Sequence, residues 1–170
     1  GTHGEEQLAL RGAGTFALRL VARPPSRRAG PRWSPEGTVL VTGGLGAVGL
    51  RVARWLARDG VKSLLLLGRR GLATPGAADA VAELQALGAE VRVAAADIAD
   101  REAMSRALAN LPARAPLRAV FHVAGLWDAS PLQNLRPDLL EAMMRPRSRG
   151  AEVLLALVRD QRLDAFVAFS

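Results

Sequence analysis

Apolar and polar positions alternate with period two over residues 6–22, with one interruption. Leu8 and Leu10 share one face, and Phe16, Leu18 and Leu20 form a second run. Arg11-Gly12-Ala13-Gly14 between them is a turn signal, so the stretch predicts a β-hairpin. Two strands alone are marginal, and the hairpin must pack on something else. Residues 23–36 (RPPSRRAGPRWSPE) then read as a linker or extended strap, with Trp33 as its packing anchor.

From Thr38 onward the period switches back and forth. Strands are predicted at 38–42, 62–67, 90–95, 117–123 and 165–169. The uninterrupted run Leu64 to Leu67 fits a parallel strand covered on both faces. Helices are predicted between the strands. The first, 47–59, places Val48, Val52, Trp55 and Leu56 on one stripe and stops at Gly60. The second, 76–87, carries Ala77, Val81, Leu84 and Leu87. Residues 68–75 and 124–134 read as loops. A third helix follows Asp97 and Asp100, the latter a good N-cap, and runs to about Leu111. A single long helix is predicted over 136–161, kinked at Pro146. Strands alternating with helices give βαβ units. The expected fold class is therefore α/β: a Rossmann-like, doubly wound parallel sheet of about five strands, preceded by the hairpin. The expected division is a structural segment and linker over 1–36 and a dinucleotide-binding domain over 37–170.

Composition narrows this picture in a few places. At 170 residues, nearly half of them apolar, the chain amounts to about one globular domain. It has no cysteine, which excludes a disulfide scaffold and thiolate chemistry. No apolar run is long enough to span a membrane, so a cytoplasmic location is the default expectation, with no membrane partner. The net charge of +7 is carried by scattered arginines, with Lys62 the only lysine and no basic run interleaved with aromatics. A nucleic-acid partner is therefore not expected. The two histidines, His3 and His122, make a metal site improbable.

The chemistry concentrates in TVLVTGGLGAVG (38–49). Gly44, Gly46 and Gly49 fit G-x-G-x-x-G between a strand and a helix. In that fingerprint the first glycine permits the tight turn, the second admits a pyrophosphate, and the third lets helix pack on strand. The helix N-terminus offers unpaired N–H groups to the phosphates. At the end of the second strand, where an acid would hold a ribose 2′-hydroxyl, stand Arg69 and Arg70. Guanidiniums there suit a 2′-phosphate, favouring NADP(H); the plainer alternative is that they solvate a strand end. Asp97 is either an adenine-edge carboxylate or a turn aspartate. Ala124 and Gly125 are small enough for backbone to approach a cofactor, and His122 reads as structural.

These motifs together resemble the ketoreductase domains of modular polyketide synthases, in the short-chain dehydrogenase/reductase superfamily. TVLVTGGLGAVG, LLLLGRRG, AADIAD, VFHVAG, RPRSRGA and DAFVAFS carry the resemblance, from Glu5 to Ser170. It implies that the hairpin ends a non-catalytic structural subdomain. It also implies NADPH-dependent reduction of a β-ketoacyl thioester on an acyl carrier protein, beside the other domains of a synthase. By the resemblance, Gly43, Gly44, Leu45, Gly46, Ala47, Val48 and Gly49 hold the pyrophosphate. Arg69, with Arg70, holds the 2′-phosphate. Asp97 and Ile98 flank the adenine, and Ala124 and Gly125 line the ribose side.

Four departures qualify the resemblance, the first being Ala47, which stands where the superfamily often has glycine and which related ketoreductases tolerate. Arg147 stands where the family has a lysine, and a planar guanidinium is not a simple substitute for an ammonium. The family's Leu-Asp-Asp motif reads Trp127-Asp128-Ala129, which leans toward the opposite alcohol product. The family's catalytic serine would fall just after Ser170 and its tyrosine later still, and the chain has no tyrosine. The expectation is a truncated domain that supplies the cofactor-binding half and is catalytically inert by itself. The alternative is an inactive ketoreductase-like scaffold.

Overall fold

The computed structural model describes residues 4, 7–19, 21–22, 33, 35–129 and 131–169. The chain divides into two compact units, Gly1–Pro31 and Arg32–Ser170. In the first, β1 (Leu8–Arg11) pairs antiparallel with β2 (Gly14–Ala17), Leu8 opposite Ala17 and Arg11 opposite Gly14. The predicted hairpin is therefore present. The predicted position of Leu20 lies outside the described residues.

The second unit is a five-stranded parallel sheet with helices on both faces. Its strands are β3 (Thr38–Thr42), β4 (Ser63–Gly68), β5 (Glu90–Ala95), β6 (Leu117–His122) and β7 (Ala165–Ala168), in the spatial order β5-β4-β3-β6-β7. The chain lays β4 and β5 outward on one side of β3, then returns to place β6 and β7 on the other. The order thus reverses between β3 and β6.

Period-two alternation sorts the strand side chains between two cores. Val39, Val41, Leu64 and Leu66 face α1 (Ala47–Arg58) and α2 (Ala77–Ala86), meeting Val52, Leu56 and Leu84. Leu40, Leu65 and Leu67 face the other way, toward Met104 of α3 (Arg101–Ala109) and Val153 and Leu154 of α5 (Arg149–Val158). The centres of both cores are sealed from solvent, with Val39, Leu40, Leu64 and Leu66 fully buried. Trp33 packs on the first core, its ring 6.0 Å from Phe121 and tilted to it. Among the described residues no helix is long and apolar enough to cross a membrane.

Three expectations are corrected. The stripe on α1 is not the one the apolar residues suggest: Val48 and Trp55 are half-exposed, and small residues, Gly49 and Ala53, are buried beside Val52 and Leu56. Close helix–sheet approach selects small side chains here, so apolarity alone misplaces the face. The helix expected over 136–161 is two helices, α4 (Pro137–Arg147) and α5, separated at Ser148. Pro146 has no N–H to continue the ladder, and the Ser148 hydroxyl donates back to the Met144 carbonyl at 3.0 Å. Gly150 then lets α5 close on the loop between β5 and α3; a Cβ there would stand 2.7 Å from Ile98 Cγ2. Finally, the segments taken as loops contain short 3-10 turns, Gly71–Ala73 and Leu132–Asn134.

Candidate functional site

Every C-terminal strand end of the sheet faces one side, and the reversal between β3 and β6 opens a crevice there, where ligands bind in doubly wound sheets. The β3–α1 turn is built from glycines with separate tasks. Gly43, at φ 64°, is the one in left-handed backbone, so it makes the tight turn that the fingerprint assigns to Gly44. Its Cα region also abuts the far side of the crevice: a Cβ would lie 2.9 Å from Ala124 Cα. Gly44 is buried instead by contact, since a Cβ would meet the Val41 carbonyl at 2.7 Å. Gly49 packs so tightly that a Cβ would stand 2.1 Å from the Gly43 oxygen. Gly46 is exposed, with only the Gly43 oxygen near its Cβ direction, at 3.2 Å.

Gly46 is the N-cap of α1, with no side chain capping the helix and no acid in its first turn. Ala47 and Val48, both exposed, follow it, while Leu45 turns into the core. The helix therefore presents unpaired N–H groups and the positive end of its dipole to the crevice, without a resident carboxylate.

Beside the turn lies a cavity of about 420 Å³. Leu67, Ala96, Ile98 and Ala124 give it apolar surface, Gly43 and Gly125 border it, and Arg69 and Asp97 supply charge. Arg70 is exposed and caps the Gly71–Ala73 turn; it does not line the cavity, so the structure separates the two arginines that the sequence coupled. Asp97 behaves as a turn aspartate and a cavity carboxylate together. One oxygen accepts the Ala99 N–H at 2.9 Å, and the other accepts Arg145 Nη1 at 2.5 Å. Burial pushes its carboxyl up, but the Ala99 N–H, Arg145 and Arg69 outweigh that and hold it below the usual carboxylate range.

The opposite rim is fixed by a residue the sequence reading missed. Thr42 Oγ1 accepts the Val123 and Ala124 N–H groups, each at 3.1 Å, and lies 2.8 Å from His122 Nδ1. A hydroxyl that already accepts two N–H groups donates its own proton, so Nδ1 is the acceptor and the ring proton sits on Nε2. Nε2 is buried and makes no hydrogen bond of full geometry, the Pro146 carbonyl being the acceptor that acts on the ring. Burial lowers the His122 pKa, partly countered by the Pro146 carbonyl, so the ring is neutral. His122 is thus structural, as expected, and its task is to hold the 123–125 backbone through Thr42. A threonine closing an apolar strand before paired glycines was the available signal.

Arg147 is drawn to the same rim but does not line the cavity. Its Nη1 donates to the Leu126 carbonyl at 3.0 Å and the Met143 carbonyl at 3.1 Å, and the guanidinium lies against Gly125. Among the described residues, no three of His, Asp and Glu converge as metal ligands.

Comparison with known proteins places this geometry. The family model described as KR domain matches residues 37–170. The pikromycin polyketide synthase component PikAIII of Streptomyces venezuelae is 46% identical over 171 residues, covering 100% of this chain and 11% of that protein. The spectinabilin polyketide synthase system protein NorA' of Streptomyces orinoci is 49% identical over 98% of this chain and 5% of its own length. A solved A-type ketoreductase from a modular polyketide synthase superposes with a TM-score of 0.84 at 50% identity, covering 99% of this chain and 36% of that one. The first ketoreductase of the tylosin synthase gives 0.78 at 43% identity, with 100% and 36% covered. The chain thus spans about a third of the solved ketoreductases it matches, and it belongs to the KR family, the ketoreductase domains of modular polyketide synthases in the short-chain dehydrogenase/reductase superfamily.

Proposed function

We propose that this chain forms the cofactor-binding half of a reductase that uses NADPH to reduce a β-ketoacyl thioester, carried by an acyl carrier protein, to the β-hydroxy product. One observation carries the reading. The uncapped, acid-free N-terminus of α1 and the Arg69 guanidinium follow the C-terminal ends of the adjacent strands β3 and β4, beside a cavity with apolar walls. That is a place for two phosphate groups joined by a ribose, with the base beside them. NADPH would supply the hydride. Ala47 and Val48 would offer N–H groups to the pyrophosphate, with Gly43, Gly44, Leu45, Gly46 and Gly49 shaping the turn. Arg69 would pair with the 2′-phosphate, and Arg70 would contribute only its field. Asp97 and Ile98 would border the adenine. Thr42, through Val123 and Ala124, would hold Ala124 and Gly125 against the ribose. Trp127-Asp128-Ala129, in place of Leu-Asp-Asp, leans toward the product type of the A-type structure that the chain resembles.

The proton for the alkoxide is not supplied from within these residues, since there is no tyrosine among them. Arg147 occupies the place of the family's lysine but directs Nη1 at two main-chain carbonyls. That engagement favours a second reading, in which the domain is a cofactor-binding scaffold without turnover. The test is reduction of a β-ketoacyl thioester by the polypeptide its gene encodes, followed by NADPH absorbance. Turnover with NADPH, and much less with NADH, supports the first reading. Cofactor binding without turnover, with turnover appearing on Arg147→Lys, supports the second.

A further inference from the structure

The fingerprint and its arginine leave one cation of the cavity without a task. Arg145 projects from the last turn of α4 and lines the cavity, half-exposed, with Nη1 on Asp97. Nothing in the dinucleotide fingerprint asks for an arginine at this point. Its surroundings are acidic: Asp138 and Glu141, from the same helix, line the cavity with it, and Asp97 holds its edge. With Asp138 paired to Arg136, Asp97 and Glu141 remain beside the Arg145 guanidinium and offset its charge, which makes a poor seat for a phosphate. They make a good seat for an uncharged, electron-rich ring with exocyclic N–H donors. The rest of the lining agrees, since Leu67, Ala96, Ile98 and Ala124 are apolar and Pro146 follows Arg145 directly.

We propose that Arg145 is a further nucleotide-binding residue, a planar cation anchored edge-on by Asp97 whose face forms a wall of the slot for the adenine base. The proposal rests on the dinucleotide reading above and deepens it. An arginine bound by its edge keeps its faces free for stacking, and a pinned guanidinium loses little freedom when a ring settles on it. Asp97 then has two tasks, bordering the slot and fixing the stacking group. The ion pair bridges α4 and the β5–α3 loop, so it also sets the slot's width.

The test is titration of the 170-residue chain, and of Arg145→Ala and Arg145→Lys, with 5′-AMP, adenosine 2′,5′-bisphosphate, NADPH and nicotinamide mononucleotide. Arg145→Ala should weaken the three adenine-containing ligands by one common factor, about five- to tenfold, and leave nicotinamide mononucleotide unchanged. Arg145→Lys should recover only a minor part, because a lysine brings charge without a plane. Arg69→Ala, in the same titrations, should weaken only the ligands with a 2′-phosphate. An Arg145→Ala chain that binds all ligands as before, or loses affinity only for 2′-phosphorylated ones, overturns the proposal. So does full rescue by lysine. If the unsubstituted chain binds none of the adenine ligands, the dinucleotide reading itself falls; if it binds them and Arg145→Ala does too, only Arg145's role falls. Ratios among ligands do not depend on the fraction of chain that is folded, so a modest loss of stability in a variant leaves the outcome readable.

Discussion

Replacing Gly49 by alanine puts a methyl group where the structure has room for none. The added Cβ would stand 2.1 Å from the Gly43 oxygen, 2.7 Å from the Gly43 carbon and 2.8 Å from Gly44 Cα. All three obstacles are backbone, so no side chain can rotate away. The Gly43 carbonyl is also committed, accepting the Gly46 N–H at 2.9 Å. Relief requires the turn to move by roughly an ångström or α1 to lift from the sheet, and overpacking of this kind costs about 1–3 kcal/mol. The upper end applies, because lifting α1 also loosens Val52 and Leu56 in the first core. At about 2–4 °C per kcal/mol for a domain of this size, Gly49→Ala should melt some 5–10 °C lower.

Gly46→Ala is the matched control with the opposite signature. Its φ of −84° and ψ of 171° suit any residue, and the nearest atom to the new Cβ is 3.2 Å away. Stability should change by less than about 1 kcal/mol. The methyl would, however, protrude at the mouth of α1, where a pyrophosphate is proposed, and NADPH should bind at least about tenfold more weakly. Circular-dichroism melts and fluorescence titration of NADPH read the two effects separately. A Gly49→Ala chain that melts with the unsubstituted one would refute the packing argument. A Gly46→Ala chain with undiminished NADPH affinity would refute the placement of the pyrophosphate.

Arg69→Ala should lower NADPH affinity about tenfold or more with little effect on NADH, and Arg70→Ala should do much less; equal losses in titrations of the two variants would contradict the division between them. Thr42→Val orphans the Val123 and Ala124 N–H groups and the His122 acceptor, so urea denaturation should show a loss of about 2–4 kcal/mol, and Thr42→Ser should recover most of it. His122 is held neutral, its folded pKa below the unfolded one, so the unfolded chain takes up the proton first. Stability should be level in this respect above about pH 6.5 and fall as pH drops below it, by at most about 1.4 kcal/mol per pH unit. In melts between pH 7.5 and 5, His122→Gln should start lower and lose less; a slope identical to that of the unsubstituted chain would show that His122 does not titrate on unfolding.

The fold was legible because its two periods are clean. The Leu64 to Leu67 run is buried on both faces, and Asp100 caps α3 by accepting the Glu102 and Ala103 N–H groups. What misled was packing by small residues. Val48 and Trp55 look like core on a helical wheel, yet the approach of α1 to the sheet is set by Gly49 and Ala53, and bulk would hold the helix off. The single helix expected through Pro146 failed for a related reason. Proline alone announces a kink. The break at Ser148 also needs the hydroxyl's bond back to Met144 and the closure of Gly150 on Ile98, and that closure is a contact between segments fifty residues apart.

The same distinction separates the parts of the site. The turn proposed to bind phosphate is local: its glycines, helix terminus and strand lie within twelve residues, so spacing suffices to read it. The side proposed to hold the base is assembled across the sheet. Thr42 reaches His122 and Ala124 over some eighty residues, and Asp97 finds Arg145 over forty-eight. A hydroxyl that organises a distant loop and a carboxylate that anchors a distant arginine leave no mark on local periodicity. Arg69 and Arg70 show the limit from the other direction. Adjacent in sequence and equal in chemistry, they diverge at a strand end, where one turns to the cavity and the other begins a 3-10 turn. Sequence proposed an arginine for the crevice, and the turn geometry puts Arg69, not Arg70, on the cavity.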